Sequence, residues 1–197
     1  ANLHEGQKTG LFLDQRDNRQ TVRRIAEGRR VLNLFSYNGG FSVAALAGGA
    51  LHATSVDVAA PALEDARRTV ELNGFEPHRH EAVQADVFEY LSGSDEEFGL
   101  VVCDPPSFAH SRRSRHAAQR AYRRLNSMAM ARVAEGGLLA TASCTAQVPP
   151  EDFRAVLAQA AADAGVTAQI IHEAGQPADH PVPLHFPEGR YLKFLVL

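Results

Sequence analysis

The sequence predicts an α/β fold in which helices cover both faces of a mostly parallel sheet. Short apolar runs that suit buried parallel strands alternate with longer segments of helical pattern. Three of the predicted strands end on an acid, at Asp57, Asp86 and Asp104. The order strand, glycine turn, helix, strand and acid, found at residues 31–57, is the first half of a doubly wound nucleotide-binding fold.

The glycine turn at residues 36–40 narrows the ligand that such a fold would bind. It lies between an apolar strand at residues 31–35 and a helix predicted at residues 41–46. A dinucleotide site needs G-x-G-x-x-G and a P-loop needs Gly-Lys-Ser/Thr, and the turn contains neither pattern. A ligand with a ribose but no phosphate fits better, S-adenosylmethionine being the obvious one, and Asp57 would accept hydrogen bonds from its ribose hydroxyls. A mere tight turn in another α/β protein remains the alternative.

Length and composition are those of an ordinary globular protein. The chain has 197 residues, of which 45% are hydrophobic and 22% charged, with a net charge of −3. We predict one main domain over residues 29–197, on which a lead-in strand and helix at residues 1–28 pack. No run approaches the ~20 apolar residues of a membrane span, no signal peptide is evident, and two cysteines form no disulfide framework. These features predict a cytoplasmic protein without a membrane partner.

The remaining elements follow from apolar periodicity and from the residues that begin and end helices. The chain is predicted to begin with a lead-in strand around residues 10–13 and a helix that Asp14 caps and that ends near residue 26. After Asp57, the predicted helices are at residues 61–73, 87–91, 114–134 and 149–165. The predicted strands are at residues 81–86, 98–104 and 138–144, followed by a closing hairpin of strands at 166–171 and 191–197. The glycines at 136 and 137 are predicted to lead into the fifth strand. The loop at residues 176–190 contains histidines that match no metal-ligand spacing, so we expect no metal.

The strand at residues 98–104 runs directly into Asp104-Pro105-Pro106-Ser107-Phe108. Two prolines at a strand end restrict the backbone and leave carbonyl groups that no neighbouring strand uses. A D-P-P-x-F segment at this place is typical of methyltransferases that act on nucleobases. The prolines hold a flat base, and the aromatic ring can stack on it.

Asp86 supports the same ligand from the neighbouring strand. In enzymes that use a methyl donor, an acid at this place commonly meets the adenine amino group, while Val87 or Phe88 flanks the ring. The simpler interpretation is that Asp86 caps the helix that follows it. Both interpretations can hold, because a capping acid at the carboxyl end of a strand also faces the cleft.

Seven arginines and no acid lie between residues 111 and 132. They occupy positions 112, 113, 115, 120, 123, 124 and 132. A run of charges is most often the solvated face of a helix. Its position directly after the D-P-P segment instead favours contact with nucleic-acid phosphates, although the net charge of −3 gives no global signature of nucleic-acid binding.

Several motifs together resemble a known family. They are Lys8-Thr9-Gly10, the segments at residues 13–16, 33–41 and 104–108, Ser143-Cys144-Thr145, and the segments at residues 178–181 and 187–193. In this combination the chain resembles the ribosomal RNA large subunit methyltransferase I family, S-adenosylmethionine-dependent enzymes that form 5-methylcytosine in 23S rRNA. The family normally carries a PUA RNA-binding domain and a β-rich linking domain, which these residues do not include. It also more often has Thr where this chain has Asn38.

The resemblance implies a class I methyltransferase fold, a Rossmann-like sheet of seven mostly parallel strands with a C-terminal antiparallel hairpin. It implies S-adenosylmethionine as the cofactor and RNA as the partner, without a metal or a membrane, and it leaves open whether the protein is a homodimer. The implied methyl-donor site consists of Thr9, Gln15, Arg16, Phe35, Ser36, Tyr37, Gly39, Asp57, Val58, Asp86, Val87, Asp104 and Pro105. The implied substrate site consists of Pro106, Ser107, Phe108, Arg112, Arg113 and Arg115.

The resemblance also implies that Cys144 is the nucleophile, with Asp104 as a second catalytic residue. Carbon 5 of cytosine is too weak a nucleophile to take a methyl group directly, whereas addition of a thiolate to carbon 6 makes it enamine-like. A free thiol is only slightly ionised at neutral pH, so we expect local positive charge around Cys144. The alternative is that Cys144 is a small buried hydrophobe, as we expect for Cys103.

Two other classes of function remain as alternatives. A methyltransferase that modifies a purine nitrogen or a small molecule would use the D-P-P turn without a cysteine. A non-catalytic RNA-binding relic of the fold would need none of the acids at the strand ends.

Overall fold

One seven-stranded sheet organises the computed structural model, which describes residues 10–109 and 112–197. The strands are Arg30–Leu34 (β1), His52–Asp57 (β2), His80–Gln84 (β3), Phe98–Cys103 (β4), Val133–Cys144 (β5), His172–Ala174 (β6) and Leu192–Val196 (β7). The helices are Arg16–Ile25 (α1), Gly40–Ala47 (α2), Ala60–Leu72 (α3), Val87–Gly93 (α4), Arg115–Met130 (α5) and Pro150–Ala164 (α6).

The strand order is β3-β2-β1-β4-β5-β7-β6. The first five strands are parallel to their neighbours, whereas β7 is antiparallel to both β5 and β6. The predicted α/β class and the antiparallel pair that closes the sheet are therefore confirmed. Because β7 runs the other way, its amino end meets the carboxyl ends of β1 to β5 at one edge, which we call the site edge.

Helices cover both faces of the sheet, and the alternation of side chains along β1 shows how. Leu32 and Leu34 point into an apolar cluster with residues of α4, α5 and α6, such as Leu125 and Phe153. Val31 points into a second cluster with residues of α1, α2 and α3. A strand buried on both faces in this way needs few polar residues, which is why the central strands β1 and β4 are mostly apolar in the sequence.

A chain of buried polar groups interrupts the second cluster beneath the glycine turn. The Asn33 amide donates to Ser42 Oγ at 2.9 Å, and Ser42 and Ser55 share a hydrogen bond of 2.7 Å between their hydroxyls. Ser55 Oγ also lies 2.9 Å from Nε2 of His80, whose pKa burial lowers to about 4. These bonds satisfy polar groups that the core would otherwise leave without partners, and they tie α2 to β1 and β2.

Three boundaries differ from the predictions. The strand predicted at residues 166–171 is wrong: those residues are exposed, and the edge strand is β6 at 172–174. The helix predicted to reach residue 134 ends at Met130, and β5 begins at Val133, so residues 136 and 137 lie within the strand. Gly136 has a φ of +69°, and the pairing of β4 with β5 shifts register at this place, as a bulge does.

The lead-in also differs from its prediction. Its described part contains no strand, because residues 13–15 form a 3-10 turn that leads into α1. Asp14 does not cap the helix, since its carboxylate accepts a hydrogen bond from the Tyr191 hydroxyl at 2.6 Å instead. The division into residues 1–28 and 29–197 stays a prediction. Within residues 10–109 and 112–197, no helix has the length and apolar composition that crossing a membrane requires.

The close approach of α1 and α2 generates a test of the packing that supports the site. A Cβ added at Gly48 would lie 1.8 Å from the carbonyl oxygen of Arg23, so Gly48→Ala must push the two backbones apart. We expect it to lower the free energy of unfolding by about 2–4 kcal/mol. In Gly93→Ala the new Cβ meets nothing within 4 Å, and we expect no loss of stability beyond about 0.5 kcal/mol. Equal urea-unfolding midpoints for the two variants would contradict this packing.

Candidate active site

The turn after β1 has an uncommon backbone conformation. Phe35 and Tyr37 have positive φ angles of 56° and 47°, and Gly39 has a φ of 75°. Two non-glycine residues in the left-handed region within three positions are rare, and such strain is concentrated at functional sites. The turn is held by two backbone hydrogen bonds, from Ser36 to Val56 at 3.1 Å and from Gly39 to Ser36 at 2.9 Å.

Asp57 at the end of β2 supports this turn directly. Its Oδ2 accepts a hydrogen bond from the Tyr37 amide at 2.8 Å, and its Oδ1 accepts one from the Ala59 amide at 2.9 Å. Each carboxylate oxygen can accept a second hydrogen bond. Asp57 is therefore an oriented acceptor beside the turn, which is the arrangement that a pair of ribose hydroxyls requires. Val58, which follows it, is 61% exposed.

Asp86 is the N-cap of α4, as the simpler interpretation predicted. Its Oδ1 accepts hydrogen bonds from the amides of Phe88 at 2.8 Å and Glu89 at 3.1 Å. Both bonds use the same oxygen of an exposed side chain, so capping does not prevent the carboxylate from meeting a ligand. Val87 differs, because its side chain is 1% exposed and belongs to the apolar cluster under α4.

Asp104 receives its partner from the lead-in rather than from the sheet. The buried Gln15 amide donates to Asp104 Oδ1 at 2.9 Å, and Asn18 donates to Gln15 Oε1 at 2.6 Å. Burial, together with the charge of Asp14, raises the pKa of Asp104 to about 7, although the Gln15 bond and Arg19 oppose that shift. The Asp104 carboxyl group can therefore take up or release a proton near neutral pH.

The lead-in is attached along the site edge at three places. The Asn38 amide donates to the carbonyl of Gly10 at 2.5 Å, Gln15 donates to Asp104, and Asp14 accepts from Tyr191. A fourth contact is the ion pair of the exposed Arg16 with Asp179, in the loop before β7. The lead-in thus connects the turn after β1, the end of β4 and the start of β7. Thr9 lies outside the described residues.

Cys144 lies against the D-P-P segment. Its Sγ donates to the Pro105 carbonyl at 3.7 Å, which places the thiol beside the residue that follows Asp104. Burial and the charge of Asp104 raise the pKa of Cys144 to about 11, while Lys193 acts in the opposite direction. Lys193 is thus a nearby cation that favours the thiolate, as expected, but burial outweighs it and keeps the pKa of the thiol raised.

The segment at residues 104–109 is anchored to the loop after β5. Ser107 and Thr145 both donate from their hydroxyls to the carbonyl of Ala109, at 2.9 and 3.1 Å. The Phe108 ring packs on Tyr122, with 4.8 Å between ring centroids. Pro105 is buried and Pro106 is exposed. The segment thus has a supported side toward the core and a free side at the site edge.

Three residues of this site were not predicted as site residues from the sequence. Asp14 and Tyr191 meet across it, and Lys193 is buried with its Nζ bonded to the carbonyls of Thr145 and Tyr191. Lys193 offered a signal, because it is a charged residue inside the apolar run of residues 191–197. Cys103 is fully buried in β4, in agreement with its prediction as a core residue.

Acids of neighbouring elements already neutralise part of the arginine run. Arg115 pairs with Asp152, Arg123 makes two hydrogen bonds to Asp163, and Arg132 pairs with Asp95. The exposed Arg113 and Arg120 form no ion pair with any residue of the described ranges. The side chain of Arg112 lies outside the part of the chain that the structure describes.

In the part of the chain that the structure describes, no group of three or more His, Cys, Asp or Glu residues is arranged to hold a metal ion.

Comparison with known proteins identifies the class to which this fold and site belong. The family model of S-adenosylmethionine-dependent methyltransferases matches residues 1–182, so the chain belongs to that family. It is 44% identical over 200 residues to ribosomal RNA large subunit methyltransferase I of Aeromonas hydrophila, and 44% identical over 199 residues to the protein of the same name from Pseudoalteromonas atlantica. Each alignment covers 100% of this chain and 50% of the relative, so the chain spans about half the length of these relatives.

Solved structures agree with this assignment. A Streptococcus mutans protein described as a SAM-dependent methyltransferase superposes with a TM-score of 0.86 at 30% identity, over 98% of this chain and 50% of its own. A second methyltransferase, solved in complex with SAH, superposes with a TM-score of 0.84 at 30% identity, over 98% of this chain and 51% of its own. The resemblance that the motifs indicated is confirmed, and the family's cofactor is S-adenosylmethionine.

The residues present fit that cofactor. Asp57 is an oriented acceptor for ribose hydroxyls, and the buried Ser36 hydroxyl beside it has no hydrogen-bond partner among the described residues. An orphaned buried hydroxyl next to a strained turn is a group that a ligand can satisfy. S-adenosylmethionine supplies an electrophilic methyl group when it is bound, and Asp57, Ser36 and Asp86 would hold it.

We expect Asp57→Ala to weaken S-adenosylmethionine binding by about 2–4 kcal/mol, because the variant loses both an ionised acceptor and the support of the turn. This corresponds to a dissociation constant about 30 to 1000 times higher, measurable by calorimetry. Glu64→Ala is the matched control, since it removes one carboxylate from the exposed surface of the nearby α3 and should leave the affinity unchanged. Equal affinities of Asp57→Ala and the wild type would remove Asp57 from the site.

Proposed function

We propose that this chain is the methyl-transferring part of an enzyme that forms 5-methylcytosine in the 23S rRNA of the large ribosomal subunit. The name of its relatives supports an rRNA substrate. The observation that favours carbon 5 of cytosine is the position of Cys144, whose Sγ lies 3.7 Å from the Pro105 carbonyl of the base-holding segment. An enzyme with this substrate would act in the cytoplasm, where ribosomal subunits are found.

In the proposed reaction, Cys144 loses its proton and its sulfur adds to carbon 6 of the cytosine. The electron pair of the carbon 5–carbon 6 double bond shifts to form a double bond between carbons 4 and 5, nitrogen 3 takes the negative charge, and carbon 5 becomes nucleophilic. Carbon 5 would then take the methyl group, with S-adenosylhomocysteine as the leaving group. A solvent base removes the carbon-5 proton, and the electron pair of that bond re-forms the carbon 5–carbon 6 double bond as the Cys144 sulfur leaves as a thiolate.

Asp104 assists the addition of the thiolate. Its pKa of about 7 means that a substantial fraction of the carboxyl group is protonated at neutral pH. A protonated carboxyl can donate a hydrogen bond to the ring nitrogen that becomes negative during the addition, and so lower the barrier. Gln15 holds one carboxyl oxygen at 2.9 Å, which leaves the other oxygen for the base.

Pro106, Ser107 and Phe108 hold the base in this proposal. The Ser107 side chain is tied to the Ala109 carbonyl, and Phe108 is supported from behind by Tyr122. Both contacts brace the segment before any ligand arrives, which lowers the entropy lost on binding a flat base. Changes at these residues should therefore affect turnover more than binding of the RNA backbone.

A second candidate is methylation of a purine nitrogen or a small molecule, without a covalent intermediate. The observation that favours it is the protonated state of Cys144, whose pKa is about 11. The two candidates differ in whether the reaction passes through a bond to sulfur.

RNA carrying 5-fluorocytosine distinguishes these candidates, because fluorine cannot leave as a proton does. With S-adenosylmethionine present, we expect a covalent complex that survives denaturing electrophoresis. Cys144→Ser should abolish this complex while S-adenosylmethionine still binds. Cys103→Ser is the matched control, because it changes the chain's other cysteine and should still form the complex. Trapping that persists in Cys144→Ser would remove the cysteine from the mechanism.

The phosphate contacts of the RNA are proposed to lie on the arginine run. Arg113 and Arg120 are the best placed, because they are exposed, whereas Arg115 and Arg123 are occupied by Asp152 and Asp163. Arg112 would add a further phosphate contact. Arg115 would add one if the RNA displaces its ion pair with Asp152. Contacts of this kind are electrostatic and carry no sequence information.

The dependence of RNA affinity on salt tests this surface. With three or four phosphate contacts, the slope of log affinity against log salt should be about −2 to −4. The double variant Arg113→Ala with Arg120→Ala should flatten the slope by about 1.5. The double variant Arg123→Ala with Asp163→Ala removes an arginine together with its acid, and should leave the slope as it is. If both double variants have the wild-type slope, RNA approaches from another side.

A further inference from the structure

Lys193 is the residue of the site edge that the proposed reaction leaves without a role. It is 3% exposed, lies in β7 opposite Ser143 of β5, and is thus one register position from Cys144. Its Nζ donates to the carbonyl of Thr145, the residue after Cys144, and to the carbonyl of Tyr191 at 2.9 Å. The ammonium group therefore bridges the end of β5 and the start of β7.

A buried ammonium group without an anion is expensive. Lysine is almost never fully buried unless it is paired, because removal of a charge from water costs several kcal/mol. Within residues 10–109 and 112–197, Lys193 forms no ion pair with a carboxylate. An apolar side chain of similar length would fill the position at lower cost, so packing does not explain the charge.

The titratable group that favours the charged form of Lys193 is Cys144. Burial lowers the pKa of Lys193 to about 8, and the Cys144 thiolate is the one group that raises it. Seen from Cys144, the facing charges are those of Asp104 and Asp14, which raise the pKa of the thiol, and Lys193, which lowers it. Two tyrosines complete the surroundings: the pKa values of Tyr122 and Tyr191 are both raised through burial and through the charge of Cys144.

We propose that Lys193 is a positioning residue whose buried ammonium group serves as the counter-ion of the Cys144 thiolate. The inference rests on the proposed function insofar as that thiolate is the nucleophile. No bond to carbon forms at the lysine. Below pH 8 Lys193 is protonated, so the ion pair that forms when the thiol proton leaves to solvent at the half-buried sulfur is neutral. The two carbonyl contacts hold the cation in place whether or not the thiol is ionised.

The rate at which iodoacetamide alkylates Cys144 measures this effect without RNA or S-adenosylmethionine. The chain has two cysteines, so a Cys103→Ser background leaves Cys144 as the single thiol. Because the thiolate is the reacting form, the rate below the pKa follows the ionised fraction. We expect Lys193→Met to slow alkylation at pH 7 about tenfold, and the difference from the wild-type rate to shrink above pH 8, where Lys193 loses its proton.

Three further variants separate charge from hydrogen bonding and from folding. Lys193→Gln keeps N–H donors for the carbonyls but removes the charge, and should slow alkylation as Lys193→Met does. Lys193→Arg keeps the charge and should remain within about threefold of the wild-type rate. Arg154→Gln removes a positive charge from an exposed ion pair with Glu173, and should have no effect. Circular dichroism establishes that each variant is folded.

Two results would overturn the inference. Unchanged profiles in both Lys193→Met and Lys193→Gln would mean that the ammonium group does not act on the sulfur. If Lys193→Met slows alkylation of Cys144 while Lys193→Gln keeps the wild-type rate, Lys193 acts only through its hydrogen bonds. The 5-fluorocytosine trap reports separately on the proposed function, because a wild-type protein that fails to form the covalent complex can still have a thiol whose reactivity depends on Lys193.

Discussion

The carboxyl group of Asp104 is the charge on which the electrostatics of the site edge depends. Burial is the main cause of the raised pKa values of Cys103, Tyr122 and Cys144, and the charge of Asp104 adds to each. Burial also brings the pKa of Asp104 to about 7, so its carboxyl group changes charge near neutral pH. In the proposed reaction, a cytosine that accepts the carboxyl proton in a hydrogen bond would keep Asp104 neutral and remove the negative charge that opposes ionisation of the thiol. Asp104 and Lys193 act on the same sulfur with opposite sign, so in that reaction substrate binding would also favour the thiolate.

Most of the fold follows from local patterns that can be seen in the sequence. The central strands β1 and β4 are mostly apolar, because helices cover both faces of the sheet there. β3, at the edge of the sheet, keeps exposed polar residues such as Glu81. The errors occurred where tertiary contacts overrule such patterns. Residues 166–171 are apolar enough for a strand, yet they are exposed beside a short edge strand. The glycines at 136 and 137 are predicted to precede the fifth strand, but they lie inside β5, at a bulge where the partner strand determines the geometry.

A site residue could be predicted where a single sequence motif indicates both its position and its role. Asp57 ends β2, Asp104 directly follows β4, and Asp86 lies two residues after β3, so strand prediction placed all three at one edge. Contacts between distant parts of the chain had no such signal: Gln15 meets Asp104 across 89 positions, and Asp14 meets Tyr191 across 177. The raised pKa of Cys144 had no signal in the sequence for the same reason. Burial, which outweighs the neighbouring cation, depends on the complete packing around the thiol and on no residue adjacent to it in sequence.

The antiparallel direction of β7 has a consequence for the order in which the protein is made. β7 lies between β5 and the edge strand β6, although it is the last of the seven strands in the chain. Its amino end brings Tyr191 and Lys193 to the site edge, where they meet residues synthesised long before them. A nascent chain that has not yet released residues 192–196 from the ribosome therefore lacks the strand that covers β5 beside Cys144. Domains fold largely as units during synthesis, so this topology places Cys144 in its final surroundings only after β7 has left the ribosome.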